Sequence, residues 1–210
     1  MRKNVNRKKI CFIIALLSFL LVIPQLNSQA ASKTQKAKTA YGKFLKKYEK
    51  KYHWFKILNI GSNNEPILLV VEDLGNERNT CYGKLYYFTG SKVKAVQGGE
   101  VSSSGTAYPF QYINHSLFVG TRRGLGSMIK VKSGYTYGTA VYLNYSKTGK
   151  ETYYKASIKK GKLYNKKVIS KKSYRSYEKK WNPYNSKIDR TIYLSRNTSG
   201  NRRKYTGYKK

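Results

Sequence analysis

Two short motifs place a serine and lysines at spacings that acyl-transfer enzymes use. Ser127 and Lys130 have the Ser-x-x-Lys spacing of penicillin-recognising enzymes, and residues 147–149 read Lys-Thr-Gly, another of their motifs. No Ser-Asp-Asn lies between the two motifs, and the surrounding residues favour strands rather than a helix to carry the serine. The same Ser-x-x-Lys spacing begins at Ser91 and at Ser176, which is unsurprising in so lysine-rich a chain. We therefore interpret both motifs as strand and turn sequence.

The sequence contains few residues that could support other catalytic or metal-binding chemistry. The chain has two His and two Cys, too few for a multi-ligand zinc site, and the Gly-x-Ser-x-Gly nucleophile elbow is absent. Of the nine acidic residues only Glu72 and Asp73 are adjacent, and adjacent strand residues face opposite sides of a sheet. No catalytic base stands beside Cys81 in the sequence, and lone histidines such as His53 and His115 are usually surface or half-buried residues. The sequence predicts a protein that is not an enzyme and needs no cofactor.

Positive charge and tyrosine dominate the composition. Forty-three Lys and Arg against nine Asp and Glu give a net charge of +34, and 21 residues are Tyr. Residues 147–210 alone hold 21 basic and three acidic residues. Lysines interleaved with exposed aromatic rings can bind a polyanion through counterion release and stacking. The residues predicted to do so are Lys159, Lys160, Lys166, Lys167, Lys171 and Lys172, with Arg122 and Arg123 as an outlying pair.

The first 30 residues have the layout of a secretory signal peptide. Five basic residues within 1–9 precede an uncharged, almost wholly apolar run over 10–23, and Ser28-Gln29-Ala30 offers small residues at a cleavage site. A run of 14 residues is shorter than the roughly 20 that span a bilayer, so cleavage after Ala30 is favoured over an uncleaved membrane anchor. The expected product is secreted, carries a charge of +29 and keeps one thiol, Cys81.

Hydrophobic periodicity places the elements. Apolar and tyrosine residues recur every three or four positions over 32–52, predicting an amphipathic helix that either packs on the domain, which we favour, or lies on an anionic membrane. Short runs of β-branched and aromatic residues between turn signals predict strands at 54–60, 67–73, 82–89, 92–97, 110–114, 117–121, 128–132, 139–145 and 152–158. Residues 170–181 predict a second helix capped by Ser170, and 182–210 read as a basic, largely disordered tail.

Two stretches resemble a family of small secreted Gram-positive proteins. Residues 40–48, Ala-Tyr-Gly-Lys-Phe-Leu-Lys-Lys-Tyr, are similar to its Ala-Tyr-x-x-Phe-Leu helix, and 59–68 are similar to its Asp-x-Asn-Gly-Asp-Gly-x-Pro-Glu-Leu hairpin, a degenerate FG-GAP or VCBS calcium loop. Residues 161–170 with the following Tyr-rich helix resemble the closing segment of the family. The resemblance brings no assigned activity. Because Asn59 and Asn63 stand where the loop carries Asp, we predict that calcium binding is lost and that only a turn remains.

These observations predict one α+β domain over 31–181. It consists of an N-terminal amphipathic helix, an antiparallel meander of about eight or nine strands in a propeller-like or sandwich-like arrangement, and a short C-terminal helix with a basic tail. We expect a secreted, non-catalytic protein, in part associated with the cell wall, that binds teichoic acid, acidic glycan, anionic lipid or extracellular nucleic acid without sequence specificity. Three alternatives stay open: an envelope module that binds a protein partner, an enzyme of unrecognised type, and a membrane-active cationic protein.

Overall fold

The computed structural model describes residues 32–72, 81–103, 110–121, 124–181 and 192–209, which form three α-helices and eleven β-strands. The helices are α1 (32–47), α2 (Lys171–Trp181) and α3 (Ser199–Thr206). The strands are β1 (Trp54–Leu58), β2 (Ile67–Val71), β3 (Cys81–Phe88), β4 (Val93–Ser103), β5 (Phe110–Ile113), β6 (Ser116–Thr121), β7 (Gly124–Lys132), β8 (Tyr135–Tyr145), β9 (Glu151–Lys159), β10 (Lys162–Ile169) and β11 (Ser195–Arg196). Each of the nine predicted strands coincides with one of β1–β9, whereas β10 and β11 were not predicted.

All the described strands belong to one mixed, curled sheet. Its first part, here called the N-terminal half-sheet, has the order β11-β1-β2-β3-β4, and its second part, the C-terminal half-sheet, has the order β5-β6-β7-β8-β9-β10. Neighbours within each half are antiparallel, but the halves join where Gln97 of β4 pairs in parallel with Tyr135 of β8. The predicted α+β class is therefore confirmed. The predicted antiparallel meander is wrong at this junction, where the chain crosses from one half-sheet to the other and β4 pairs in parallel with β8.

The main hydrophobic core lies between the two half-sheets. Side chains alternate along each strand, so Leu69 and Val71 of β2 face this core together with Leu117 of β6 and Val131 of β7, all of them buried. The predicted alternation in β7 is confirmed, since Ile129 and Val131 are buried while Lys130 and Lys132 are not. Burial of this apolar surface is the dominant favourable term that keeps the sheet curled.

Each half-sheet is covered by a helix on its outer face. Tyr41 and Leu45 of α1 are fully buried against Leu68 and Val70 of β2, which leave the sheet on the side opposite the main core. The Tyr41 hydroxyl also donates a hydrogen bond of 2.7 Å to the Pro66 carbonyl oxygen. These contacts bear out the interpretation of the first helix as one that packs on the domain. It ends at residue 47, earlier than predicted, and a turn follows.

The second helix packs in the same manner on the C-terminal half-sheet. Tyr174 and Trp181 of α2 are buried against Phe118 of β6 and Val141 of β8. The Ser170 hydroxyl accepts a hydrogen bond of 3.2 Å from the Ser173 backbone N–H, so the predicted N-cap is confirmed. None of the helices within the described residues is long and apolar enough to span a membrane.

The junction between the half-sheets is a close backbone contact. The Thr136 hydroxyl lies 3.1 Å from the Gly98 carbonyl oxygen, and the Thr136 carbonyl accepts a hydrogen bond of 2.7 Å from the Lys160 N–H. Gly98 has a φ of +70°, and a Cβ atom there would collide with the backbone of Lys160 and Gly161 in the β9–β10 turn. Only glycine fits this position, because any side chain would push the two half-sheets apart.

The C-terminal segment is anchored to α1. The Asn197 side-chain amide donates to the carbonyl oxygen of Leu45, in the last turn of α1, and to that of Tyr52, just after the turn that follows, at 3.0 and 2.9 Å. Arg202 of α3 is only 3% exposed and pairs with Glu49 at 3.2 Å. The prediction of a disordered tail is therefore wrong for residues 192–209, which the sequence hid because their partners lie some 150 residues away. Residues 182–191 lie outside the described part of the chain.

The loop compared with a calcium hairpin has the turn role that was predicted for it. Asn63 and Asn64 have φ values of +52° and +60°, in the left-handed region that Asn tolerates. Glu65 forms an ion pair of 2.6 Å with Lys33 of α1. Gly61, by contrast, has an ordinary φ of −74°. The predicted signal peptide and its cleavage site at Ala30 lie outside the described residues.

Candidate functional site

The outer face of strands β7–β10 presents lysines and tyrosines in register. Lys130 of β7 is opposite Tyr137 of β8, which is opposite Lys159 of β9, which in turn is opposite Lys162 of β10. Since residues two apart share a face, the same outer surface carries further side chains from these strands. We call this surface the lysine face, and it comprises Lys130, Lys132, Lys155, Lys159, Lys162 and Lys167 together with Tyr135, Tyr137 and Tyr164.

Two pairs of like charges lie directly across from each other on the lysine face. Lys159 is opposite Lys162, and Lys155 is opposite Lys167, all of them exposed. Like charges in directly opposed positions destabilise a sheet. Residues 124–181 contain fifteen Lys and Arg and only two acidic residues, Glu151 and Glu178. Folding therefore concentrates positive charge on this face with few carboxylates nearby to compensate it.

Tyrosine rings lie between the lysines. Tyr164 keeps 45% of its surface exposed and pairs with Ser157, in the rows between the two opposed lysine pairs. Tyr135 and Tyr137 are half-buried on β8. The Lys155 Nζ atom lies 5.2 Å from the centre of the Tyr177 ring of α2, which borders the lysine face. The face thus offers both cations and π-surfaces to a ligand.

A carboxylate network marks the border between this face and the start of α2. Glu151 accepts a short hydrogen bond from the Tyr153 hydroxyl and pairs with the Lys171 Nζ at 3.3 Å. The hydrogen bond from Tyr153 and that from Lys171 hold the pKa of the Glu151 carboxyl below its ordinary value. The same contacts raise the pKa of Tyr153 and that of Lys171. Lys171 is therefore engaged in an ion pair and is less available to an external anion than the sequence suggested.

A β-bulge in β10 decides which of two adjacent lysines, Lys166 or Lys167, lies on the lysine face. The register shifts between Tyr164 and Lys167, and Asn165 has a φ of +49°. As a result Lys167 belongs to the lysine face, whereas Lys166 lies over the opposite, inner face. There the Lys166 Nζ is 4.0 Å from the centre of the Tyr154 ring, which stacks on Tyr142 with ring centres 5.4 Å apart.

The structure thus divides the predicted lysine cluster. Lys159 and Lys167 are on the lysine face, and Lys160 is in the adjoining turn with a φ of +54°. Lys172 is exposed on α2, while Lys166 and Lys171 are engaged as described. Arg122 and Arg123 lie outside the described residues. The sequence interpretation missed that Lys130, Lys132, Lys155 and Lys162 lie on the same face as Lys159 and Lys167, although the alternation around Lys130 and Lys132 already indicated their outward orientation.

The residues of the Ser-x-x-Lys and Lys-Thr-Gly motifs do not converge. Ser127 and Lys130 lie on opposite faces of β7, and residues 147–149 form the β8–β9 turn, where the Gly149 N–H donates to the Ser146 carbonyl at 3.0 Å. An open groove of about 380 Å³ brings Glu72 and Glu100 to one surface. Both carboxylates are exposed there, and they pair with Lys51 at 3.4 Å and Lys84 at 3.1 Å, respectively.

The structure places the two histidines and the cysteine in different parts of the fold. The His115 Nδ1 lies 2.9 Å from the Tyr112 hydroxyl at the β5–β6 turn, and the His53 carbonyl accepts a hydrogen bond of 2.8 Å from the Asn197 N–H. Cys81 is buried in β3. Within the described part of the chain, no three His, Cys, Asp or Glu side chains come together as a metal site.

Comparisons of this chain with protein-family models, with curated proteins and with solved structures return no match. The resemblance to the small secreted Gram-positive family therefore stays a prediction. The geometry of the lysine face is the strongest functional observation.

Proposed function

We propose that the protein binds anionic polymers, without catalysis, through the lysine face. Six lysines on β7, β9 and β10, with tyrosines of β8 between them, form a cationic surface with aromatic rings between the charges. A polymer with regularly spaced negative charges can lie across such rows and release the counterions condensed on it. The opposed pairs Lys159–Lys162 and Lys155–Lys167 are the observation that carries the proposal, since a bound polyanion would remove the repulsion within each pair.

Protection of an exposed strand edge is the strongest competing reason for these lysines. Natural sheets place Lys on edge strands to discourage pairing with other chains. That reason applies to Lys162 and Lys167 of the edge strand β10. It does not apply to Lys130, Lys155 and Lys159, because β7 and β9 have partners on both sides.

The N-terminal sequence determines which polymers come into question. If residues 1–30 direct export, as their layout predicts, the protein meets teichoic acid, acidic glycans, anionic lipid headgroups and extracellular nucleic acid at the cell surface. The lysine face contains no arrangement that would read bases. We therefore propose electrostatic association with such polymers and no sequence-specific recognition.

A pair of charge-matched variants tests the proposal. One variant replaces four lysines of the lysine face, Lys155, Lys159, Lys162 and Lys167, with Gln. The other replaces four exposed lysines of the N-terminal half, Lys36, Lys43, Lys50 and Lys92, with Gln. Both lose four charges, so any difference between them reports position rather than net charge.

The measurement is binding to heparin and to purified cell wall from low to moderate salt. We expect the lysine-face variant to elute at lower salt than the control variant, with a weaker salt dependence by about one unit of slope for each lost contact. Equal behaviour of the two variants would show that the charge is spread as general solvation and would reject the proposal. Salt-insensitive binding would reject it as well.

A further inference from the structure

Strand β10 is an edge strand of the sheet, and its outer edge, here called the margin, has no partner strand among the described residues. Within the described residues it pairs with β9 and with no other strand, and residues 162–168 are all exposed. The outer edge of such a strand presents backbone N–H and C=O groups that another extended chain can pair with. The lysine face is a surface of side chains, whereas this margin is a row of backbone groups. The two share Lys162 and Lys167, which discourage pairing with a cationic chain but not with an acidic one.

The side chains that flank this margin differ in chemistry between the two faces of the sheet. Leu163 and Val168 lie on the inner face, opposite Ile158 and Tyr154 of β9, and keep 51% and 68% of their surface exposed. Lys162 and Lys167 lie on the outer face. The bulge at Asn165 keeps both apolar residues on one face although they are five positions apart.

We propose that β10 binds an extended acidic segment of another polypeptide, which adds to the sheet as a further strand. A strand that spans the bulge as β9 does would place alternate side chains beside Leu163 and Val168 and the others beside Lys162 and Lys167. The segment that fits alternates apolar with Asp or Glu residues. A second copy of β10 does not fit, because its lysines would lie against those of the first.

A matched pair of peptides tests this. An end-blocked peptide of four Val-Glu repeats has the required alternation, and a peptide with four Val followed by four Glu has the same composition and charge without it. We expect the alternating peptide to bind about tenfold more tightly by fluorescence anisotropy, a difference of about 1.4 kcal/mol. It should also slow amide hydrogen exchange within 162–169. Equal affinity of the two peptides, or unchanged exchange in β10, would overturn strand addition.

A substitution that leaves the charge untouched separates this proposal from polymer binding. The double variant Leu163→Ser, Val168→Ser should weaken binding of the alternating peptide several-fold and leave elution from heparin unchanged. Tyr82→Ser, at an exposed apolar side chain on β3, is the control and should change neither the peptide affinity nor the elution from heparin. An unaltered peptide affinity in the double variant would contradict the proposal. Concentration-dependent protection of β10 without peptide would assign the edge to a second copy and would contradict it too.

Discussion

The two half-sheets share a plan and differ in how they handle charge. Each contributes one face to the common core and has a helix on the other face, α1 on the N-terminal half and α2 on the C-terminal half. Residues 32–103 carry thirteen basic and six acidic residues, and each of the four described acids there forms an ion pair with a lysine or arginine. Residues 124–181 carry fifteen basic residues and two acidic ones.

The charged residues therefore stabilise the fold in the N-terminal half and oppose it in the C-terminal half. In the N-terminal half, Glu49 and Glu65 tie α1 to α3 and to the loop before β2. In the C-terminal half, Lys155 and Lys159 face other lysines across the sheet, an arrangement that raises the free energy of the folded state. Stability alone gives no reason for the second pattern, which is why the lysine face is the place to look for a ligand.

The largest expected effect is at the junction between the halves. Gly98→Ala would force a Cβ atom into the backbone of the β9–β10 turn at a φ of +70°, and we expect a loss of more than about 3 kcal/mol in the free energy of unfolding. Gly149→Ala is the control: its φ is +80°, but nothing lies within 4 Å of its Cβ, so only about 1 kcal/mol should be lost. Urea unfolding of both variants measures this, and equal losses would show that the contact at Gly98 does not hold the halves together.

A smaller loss is expected where the C-terminal segment is anchored to the N-terminal half. Arg202→Met removes the contact with Glu49 and a hydrogen bond of 2.9 Å to the Asn197 side chain, and should cost about 2 kcal/mol in thermal or urea unfolding. Arg203→Met, at the exposed neighbouring position of α3, should cost less than about 0.5 kcal/mol. Similar values for the two would mean that the segment is not anchored through Arg202.

Reversing one charge in each half should change stability in opposite directions. Lys162→Glu places a carboxylate opposite Lys159 and should stabilise the protein by up to about 0.5 kcal/mol at low salt. Lys51→Glu removes the partner of Glu72 and should destabilise it by a similar amount, about 0.5 kcal/mol. Both effects should shrink as salt is added, because exposed charges are screened. A destabilising Lys162→Glu would contradict the view that this face is strained by like charges.

The smallest effect concerns pH and the border of α2. Because contacts with Tyr153 and Lys171 lower the pKa of Glu151 in the folded state, its contribution to stability is present above the ordinary Glu pKa of about 4.3 and is lost as pH falls through the lower folded value. In the Glu151→Gln variant the free energy of unfolding should therefore fall slightly less at acid pH than it does in the parent protein. At neutral and basic pH the two proteins should show the same dependence of stability on pH. Thermal unfolding between about pH 2 and pH 7 measures this. If the melting temperatures of the two proteins fell by the same amount at acid pH, the proposed role of Glu151 would be contradicted.

Local sequence patterns predicted most of the helices and strands, because each of these patterns depends only on residues close together in the chain. Alternation in β7, the Ser170 cap and the turn at residues 147–149 are properties of a few neighbouring residues. Strand β10 escaped prediction since Lys and Asn fill half of it and its exposure on both faces removes any apolar period. The C-terminal segment escaped because its stability comes from Asn197 and Arg202, whose partners are in α1 and in the turn that follows it.

The candidate site was predicted in part for the same reason. The sequence indicated a lysine-rich region with tyrosines, but it could not show which of Lys166 and Lys167 lies on the outer face, because that depends on the bulge at Asn165. Nor could it join Lys130 to Lys159, since register between strands is set by pairing across the sheet.

The amino-acid sequence by itself determined the α+β class, the cationic and tyrosine-rich character, and the lack of a complete set of catalytic motifs, because composition, local periodicity and short motifs are enough for these. Only the tertiary structure decided the parallel junction of β4 with β8, the anchored C-terminal segment and the register that turns scattered lysines into one face. These features arise from contacts between residues far apart in the chain, which are fixed when the two half-sheets bury their common core.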